Sequence, residues 1–102
     1  MTSYQLQTKY TLVTRLGNLA NNTIDTLVIP KATISRRHAL IEYRDYGFWL
    51  IDQNSVNGTF VNNQQVTDPV RLKHGDRIAF HEYEFEFANT QLLVSNETIA
   101  ST

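Results

Sequence analysis

Short apolar runs with two-residue alternation recur along this chain of 102 residues, and polar turns separate them. In the run 83–87, Tyr83, Phe85 and Phe87 alternate with two glutamates, as in a strand that buries one face. Residues that favour turns, namely Gly, Asn, Asp and Pro, lie between the runs. No window has a sustained 3.6-residue apolar period with helix caps, so the pattern predicts almost no helix.

Many short strands at close spacing are typical of an all-β sandwich or barrel. The segment 1–8 is predicted to be a frayed end or a weak edge strand, and 95–102 a polar tail. We predict a single domain over 1–94 with its core in 10–87. The predicted strands are 10–16, 25–29, 39–44, 48–52, 59–61, 65–66, 70–72, 77–80, 83–87 and 92–94.

The clearest local prediction is a hairpin formed by the runs 39–44 and 48–52. The joining residues are Asp45, Tyr46 and Gly47, and we expect Gly47 to take the positive φ because glycine adopts it at least cost. A hairpin would bring the residues before 39 and after 52 to the same edge of a sheet. Both of those flanking segments are polar, so this edge is a candidate binding surface.

Composition and charge exclude several classes of protein. The formal net charge is -1, whereas nucleic-acid binders usually carry a basic excess, so no nucleic-acid partner is expected. The absence of cysteine removes disulfide scaffolds, thiolate metal sites and cysteine nucleophiles. No apolar run approaches the roughly 18 residues that span a membrane. We expect a cytoplasmic domain without membrane contact.

Nothing in the sequence favours catalysis. The three histidines lack zinc-ligand spacing, and no Gly-rich nucleotide loop occurs, so neither a metal nor a cofactor is predicted. Ser35 and His38 could form a nucleophile and base, but residues three apart on an extended chain point to opposite faces. A structural histidine at the start of a strand is the preferred interpretation. Asp45 and Asp52 are read as turn and strand-end residues.

The two polar ends of the hairpin suggest binding instead. Ser35, Arg36 and nearby Lys31 offer hydroxyl, guanidinium and ammonium donors for a phosphate, although two arginines are also common in a plain exposed loop. Asn57 precedes Gly58, and its amide could both donate to and accept from a peptide main chain. Asn-Gly also favours an ordinary turn. The two signals at one predicted edge strengthen each other.

The combined spacing resembles the forkhead-associated (FHA) domain family over roughly 10–87. The matching positions are Ser35-x-x-His38, Asp52-x-x-Ser55-x-Asn57-Gly58-Thr59-x-Val61-Asn62 and Leu72-x-x-Gly75-Asp76-x-Ile78. The resemblance implies a two-sheet β-sandwich of about 10–11 short, mostly antiparallel strands. It also implies a signalling module that recognises phosphothreonine in an extended peptide through loops at one end. The implied partner is the substrate of a Ser/Thr kinase, bound by a domain expected to be monomeric.

The same resemblance implies a role for individual residues. Ser35 and Arg36 would bind the phosphate. Beside the resemblance, Arg15 and Lys31 are nearby cations that could compensate for a missing family arginine, and the direction of Arg15 depends on a strand register that the sequence leaves open. Peptide contacts would come from Asn57, from Thr33, and from the neighbouring positions Asn18 and Val56. Structural support would come from three residues: His38, Gly58 and Gly17.

Two positions depart from the family pattern. An early Gly-Arg pair of the family, whose Arg is a main phosphate ligand, aligns with Gly17-Asn18, and Val56 stands where many members have Thr or Ser. The alternative hypothesis is therefore a degenerate module that binds a partner without phosphate, or self-associates through a sheet face. The aromatic strand 83–87 is a candidate for such a face, although core packing is favoured for Phe85 and Phe87. A hydrolase that uses Ser35 and His38 is the remote third hypothesis.

Overall fold

The computed structural model describes residues 3–17 and 24–95, and across them the chain is all β. No helix occurs in these two ranges. The eleven strands of the described residues are β1 (Ser3–Gln5), β2 (Tyr10–Thr14), β3 (Ile24–Val28), β4 (Ala39–Arg44), β5 (Gly47–Asp52), β6 (Thr59–Val61), β7 (Gln64–Gln65), β8 (Val70–Arg71), β9 (Arg77–Phe80), β10 (Tyr83–Ala88) and β11 (Gln91–Val94).

The strands form two sheets that pack as a sandwich. One sheet has six strands in the order β1-β11-β10-β9-β6-β7, and the other has five in the order β3-β2-β4-β5-β8. All pairs are antiparallel except β2 with β3, which are parallel. The predicted fold class is confirmed. About half of the ends of the predicted strands coincide with the structure, and the others differ by one or two residues, which is within the usual uncertainty of strand boundaries predicted from sequence.

The core lies between the inner faces of the two sheets. The alternation of β10 places Tyr83, Phe85 and Phe87 inside, each less than a tenth exposed. Core packing of Phe85 and Phe87 is confirmed, and Tyr83 is buried with them, so these aromatics do not form an exposed interface. Beyond the predicted 10–87, the buried cluster also includes Leu6, Leu92 and Val94 at the two ends of the chain.

The β4–β5 hairpin has a two-residue turn. Arg44 pairs with Gly47, so the turn residues are Asp45 and Tyr46, with φ of 50° and 60°. The expectation that Gly47 takes the positive φ is wrong, since Gly47 is already the first residue of β5. A Cβ on Gly47 would lie 2.8 Å from the Arg71 guanidinium, so the missing side chain makes room for Arg71.

The hairpin register brings the two predicted binding loops to one end of the sandwich. Ala39 pairs with Asp52, so the residues before β4 and after β5 lie side by side. The amide of Gln53 donates to the His38 carbonyl at 3.0 Å and extends this pairing by one step. The end of the hairpin opposite its turn thus carries both polar segments.

The turn generates a stability prediction. Two successive positive φ angles suit Asn or Gly, whereas a bulky residue in this region is strained. The Tyr46 side chain is 93% exposed, so its removal costs little packing. Tyr46→Gly is expected to raise the free energy of unfolding by about 0.5–1 kcal/mol. Urea denaturation would measure this as a higher midpoint with an unchanged slope.

Tyr46→Val is the matched control, because a β-branched residue tolerates positive φ less well than Tyr. It should lower the midpoint. A Tyr46→Gly midpoint at or below that of the wild type would contradict the assignment of the turn.

Candidate functional site

The first loop of the site is anchored by one buried apolar side chain. Ile34 is fully buried, and its amide donates to the Lys31 carbonyl at 3.0 Å. This hydrogen bond closes the turn that precedes Ser35. Arg36 and Arg37 follow it and are exposed, while Ser35 is half-buried at the base of the loop. The anchor therefore fixes Ser35 and presents two guanidiniums to solvent.

His38 joins this loop to the second one. Its Nδ1 accepts from the Ser35 amide at 3.1 Å, which leaves the ring proton on Nε2. Nε2 then donates to the Gly58 carbonyl at 2.8 Å. The ring is fully buried and lies edge-on to Phe80, and burial lowers its pKa from the usual value. The neutral imidazole is thus a fixed bridge between the loops.

Asp52 organises the second loop. Its carboxylate accepts from the Ser55 hydroxyl at 2.6 Å, the Ser55 amide at 3.2 Å and the Thr59 hydroxyl at 2.7 Å. The sequence prediction treated Asp52 as a strand-end residue only and did not include this role. The Asp52-x-x-Ser55 spacing was the available signal, because a carboxylate often caps amides two or three residues ahead. These three hydrogen bonds hold the second loop in shape around the carboxylate.

Gly58 has a backbone reason to be glycine. Its φ is +87°, in the region that side chains disfavour, and an added Cβ would lie 3.0 Å from the Phe60 ring. The same residue offers its carbonyl to His38. A substitution here would therefore disturb both the turn and the bridge.

Two further hydrogen bonds cross between the loops at their exposed ends. The Val56 amide donates to the Ser35 Oγ at 3.0 Å, and Asn57 Nδ2 donates to the Thr33 carbonyl at 2.8 Å. Ser35 Oγ accepts in the first bond, so its own O–H is left to donate outward. The Asn57 amide likewise keeps its second N–H and its carbonyl oxygen. Both side chains are positioned and still have hydrogen-bonding capacity.

Arg15 reaches the same loop from the end of β2. Its Nη1 donates to the Ile34 carbonyl at 3.3 Å, one residue before Ser35. The guanidinium has four further N–H donors. The register question that the sequence left open is settled in favour of Arg15 lying beside the Ser35 loop. Lys31 lies at the start of that loop and is half-buried.

The remaining predicted site residues are Val56, Thr33, Gly17 and Asn18. Val56 is 87% exposed at the tip of the second loop. The Thr33 hydroxyl is buried and has no hydrogen-bond partner within 3–17 and 24–95. Gly17 is exposed, has no positive φ, and has open space where a Cβ would be, so the structure gives no reason for glycine there. Asn18 lies outside the described residues.

The geometry argues against the hydrolase hypothesis. Both ring nitrogens of His38 are engaged with backbone groups, and neither faces the Ser35 hydroxyl. A general base needs a free nitrogen within hydrogen-bond reach of the nucleophile. Ser35 instead accepts from the Val56 amide. In ranges 3–17 and 24–95, no cluster of three potential metal ligands occurs and no helix could cross a bilayer.

The His38 bridge predicts how stability depends on pH. The unfolded imidazole titrates near pH 6.5, while burial lowers the folded pKa, so below about pH 6.5 the unfolded state binds more protons. Stability is therefore complete above this pH and is lost as the pH falls through it, by at most about 1.4 kcal/mol per pH unit. Urea denaturation between pH 8 and 5 measures the loss.

His38→Gln should remove this part of the pH dependence, although its overall stability will be lower. His74→Gln is the matched control, because His74 is exposed, and it should keep the wild-type slope. Equal slopes in all three proteins would contradict a buried, neutral His38.

Comparison with known proteins identifies the family of this arrangement. The FHA domain family profile matches residues 14–81. The transcriptional regulatory protein EmbR of Mycobacterium tuberculosis is 35% identical over 74 residues, which are 72% of this chain and 18% of that protein. An ABC transporter ATP-binding/permease protein of the same organism is 34% identical over 88 residues, which are 86% of this chain and 10% of that protein. This chain thus spans less than a fifth of these relatives.

Solved structures agree with the sequence comparison. EmbR in complex with a low-affinity phosphopeptide superposes with a TM-score of 0.71 at 30% identity, covering 83% of this chain and 21% of that chain. A structure from a study of phosphothreonine-dependent FHA domain interactions gives a TM-score of 0.62 at 33% identity, covering 79% and 77%. The chain belongs to the FHA domain family, whose members are non-catalytic phosphopeptide-binding modules with a β-sandwich fold.

Proposed function

We propose that this domain binds phosphothreonine in an extended peptide through the loops around Ser35-Arg36 and Asn57-Gly58. One observation carries the proposal: three hydrogen bonds join the two loops, and a fourth fixes His38 within the first loop, yet the Ser35 hydroxyl and the Asn57 amide keep further hydrogen-bonding capacity. A site built in advance loses little conformational entropy on binding. The homologous FHA domains that bind phosphothreonine peptides and partner proteins support the same function.

The phosphate would lie against the first loop. A phosphorylated side chain carries about -1.5 to -2 charges at pH 7 and three strong acceptor oxygens. The Ser35 hydroxyl and the Arg36 amide and guanidinium supply donors of the required kinds. Arg15 and Lys31 add positive charge from the two sides of the same loop. Asp52 directs its three hydrogen bonds to Ser55 and Thr59 in the second loop, and no acidic residue lies in the first loop between Lys31 and His38.

The peptide main chain would lie against the second loop. The remaining N–H and the carbonyl oxygen of the Asn57 amide can bind one peptide carbonyl and one peptide N–H. The Thr33 carbonyl accepts a hydrogen bond from the Asn57 side chain, so Thr33 lies next to Asn57. The peptide residues that follow the phosphothreonine would therefore pass over Thr33. Val56 and Asn18 would flank the peptide. His38 and Gly58 would act on the protein itself by holding the loops together.

Arg15 offers an explanation for the missing family arginine. With Asn at position 18, one charge-assisted hydrogen bond to the phosphate is lost, worth about 1.5–3 kcal/mol. The Arg15 guanidinium is already hydrogen-bonded to the carbonyl next to Ser35. It would supply a second cation without any large movement of the backbone.

The biological setting follows from the ligand. The partner would be a protein or peptide phosphorylated by a Ser/Thr kinase, and the domain would act in the cytoplasm as a monomer. The alternative is a module that binds its partner without phosphate, and the exposed apolar Val56 at the tip of the second loop is the observation that favours it.

Ser35→Ala tests the phosphate contact. The variant removes a charge-assisted hydrogen bond, so we expect affinity for phosphothreonine peptides to fall about ten- to hundred-fold. Fluorescence anisotropy with a phosphothreonine peptide library measures the change, and the unphosphorylated library should bind neither protein. Ser35→Thr keeps the hydroxyl and should retain most of the affinity.

Ser3→Ala is the matched control, because Ser3 is an exposed serine on β1 and outside the site. Binding that ignores phosphorylation, or that survives Ser35→Ala unchanged, would defeat the proposal and favour the phosphate-independent alternative.

Arg15→Gln and Asn18→Arg test the compensation. Loss of the Arg15 charge is expected to weaken binding about tenfold, whereas Asn18→Arg is expected to strengthen it about tenfold by restoring the family cation. Arg77→Gln, at an exposed arginine on β9, is the control for a change of net charge. If Arg15→Gln behaves like Arg77→Gln, Arg15 does not contact the phosphate.

A further inference from the structure

A groove lies at the end of the sandwich opposite the phosphopeptide loops. Its volume is about 410 Å³, in the size range of small ligand sites. The turn of the β4–β5 hairpin forms one wall, roughly 17 Å along the strands from the Ser35 end. The lining residues come from three turns and their strands: Tyr43, Tyr46, Gly47, Phe48, Arg71, Leu72, His74, Phe87, Asn89 and Thr90.

A second groove of about 350 Å³ continues the first. It is lined by Leu6, Gln7, Thr8 and Lys9 together with Tyr43 and Phe48, which also line the first groove. The two shared rings lie 5.0 Å apart between centroids. The two grooves therefore adjoin at these two aromatic rings, and together they are called the track.

The two shared rings are firmly supported by the core. Phe48 contacts Phe87 with ring centroids 5.9 Å apart, and Phe87 is buried. Tyr43 remains 44% exposed although its ring packs on Phe48. Aromatic side chains held rigid on one side and open on the other are typical centres of binding surfaces.

The charges around the track have one sign. Lys9 lines one groove and Arg71 the other, and none of the lining residues is Asp or Glu. Asp45, in the neighbouring turn, lines neither groove. The whole chain has a net charge of -1, so this basic rim is a local feature and not a reflection of composition. It would attract a ligand with acidic groups beside its apolar ones.

The strained turn of the β4–β5 hairpin also contributes to the track. Tyr46 is held at a φ of 60° and is 93% exposed at the edge of the groove. The Arg71 guanidinium occupies the space above Gly47 and donates to the Tyr46 carbonyl at 3.3 Å. A non-Gly residue at positive φ costs stability, and such residues cluster at functional sites. The turn thus presents an aromatic ring and a guanidinium together at one rim.

We propose that this aromatic-basic track is a second peptide-binding site, which takes a short linear segment of a partner protein with apolar residues flanked by Asp or Glu. The apolar side chains would pack on Tyr43, Tyr46 and Phe48. The acidic groups would pair with Lys9 and Arg71 at the two ends. The site is independent of the phosphopeptide loops, so one partner could engage both ends of the domain and gain affinity from the increased local concentration.

The test is a titration of the ¹⁵N-labelled domain, followed by two-dimensional NMR. The probe is an unphosphorylated peptide with a Phe-Leu pair flanked on both sides by glutamates. One control peptide has the glutamates replaced by lysines, and another has the Phe-Leu pair replaced by serines. We expect saturable shifts of the amides of residues 43–48, 71–74 and 87–90 with the first peptide alone, and no shifts in 33–38 or 55–58.

Two variants locate the site. Lys9→Glu should weaken binding about fivefold by reversing one attraction. Tyr46→Gly should weaken it at least as much while the fold remains intact, since glycine suits this turn. Arg77→Glu has the same charge change as Lys9→Glu but lies outside the track, and it should bind like the wild type.

Several outcomes would overturn the proposal. These are the absence of saturable shifts, equal binding of the lysine or serine peptide, and shifts that centre on another surface. Peptide binding that is unchanged by both Lys9→Glu and Tyr46→Gly would also overturn the proposal. Because the probe carries no phosphate, these outcomes leave the phosphothreonine proposal unaffected, and Ser35→Ala should not change them.

Discussion

The site depends on one neutral imidazole. Nδ1 of His38 accepts a hydrogen bond from the Ser35 amide, and Nε2 donates one to the Gly58 carbonyl. A charged ring would have to donate at both nitrogens and would face the Ser35 amide with a like donor. Burial against Phe80 favours the uncharged form and so preserves the correct pattern of donor and acceptor. Two loops that are twenty residues apart are thereby fixed relative to each other.

The sandwich supplies the conditions for this bridge. The β4–β5 hairpin starts and ends at the same edge, so Ala39 and Asp52 bring their flanking loops together. Ile34 anchors one loop in the core, and Asp52 caps the other through Ser55 and Thr59. Each loop is therefore stable in its own right. The bridge only has to set their relative position, which is what a multipoint ligand site requires.

Sequence reasoning predicted much of this arrangement, and its errors have physical causes. Two-residue alternation revealed β10 because one face is fully buried, and it placed the β4–β5 hairpin well. It assigned the positive φ to Gly47 by propensity, whereas the cross-strand register moved the turn to Asp45 and Tyr46. Register depends on partners distant in sequence, which local propensity does not report.

The site shows the same division between local and distant information. Ser35, Asn57 and His38 could be named from motif spacing, since each motif lies within one loop. The place of Arg15 beside Ile34 could not, because the direction of a strand-end side chain depends on register and twist. The role of Asp52 is different, because its partners Ser55 and Thr59 lie in the same loop and the Asp52-x-x-Ser55 spacing could have indicated it. The aromatic track at the other end needed three separate turns to meet.

We propose that the paired loops, and not a sheet face, receive the phosphate. Chemical-shift mapping of the domain with a phosphothreonine peptide and with its unphosphorylated twin distinguishes these two surfaces. This proposal predicts that phosphate-dependent shifts centre on the amides of 34–37 and 56–58 and on the Asn57 side chain. Phosphate-dependent shifts confined to another surface, or identical shifts with both peptides, would contradict it.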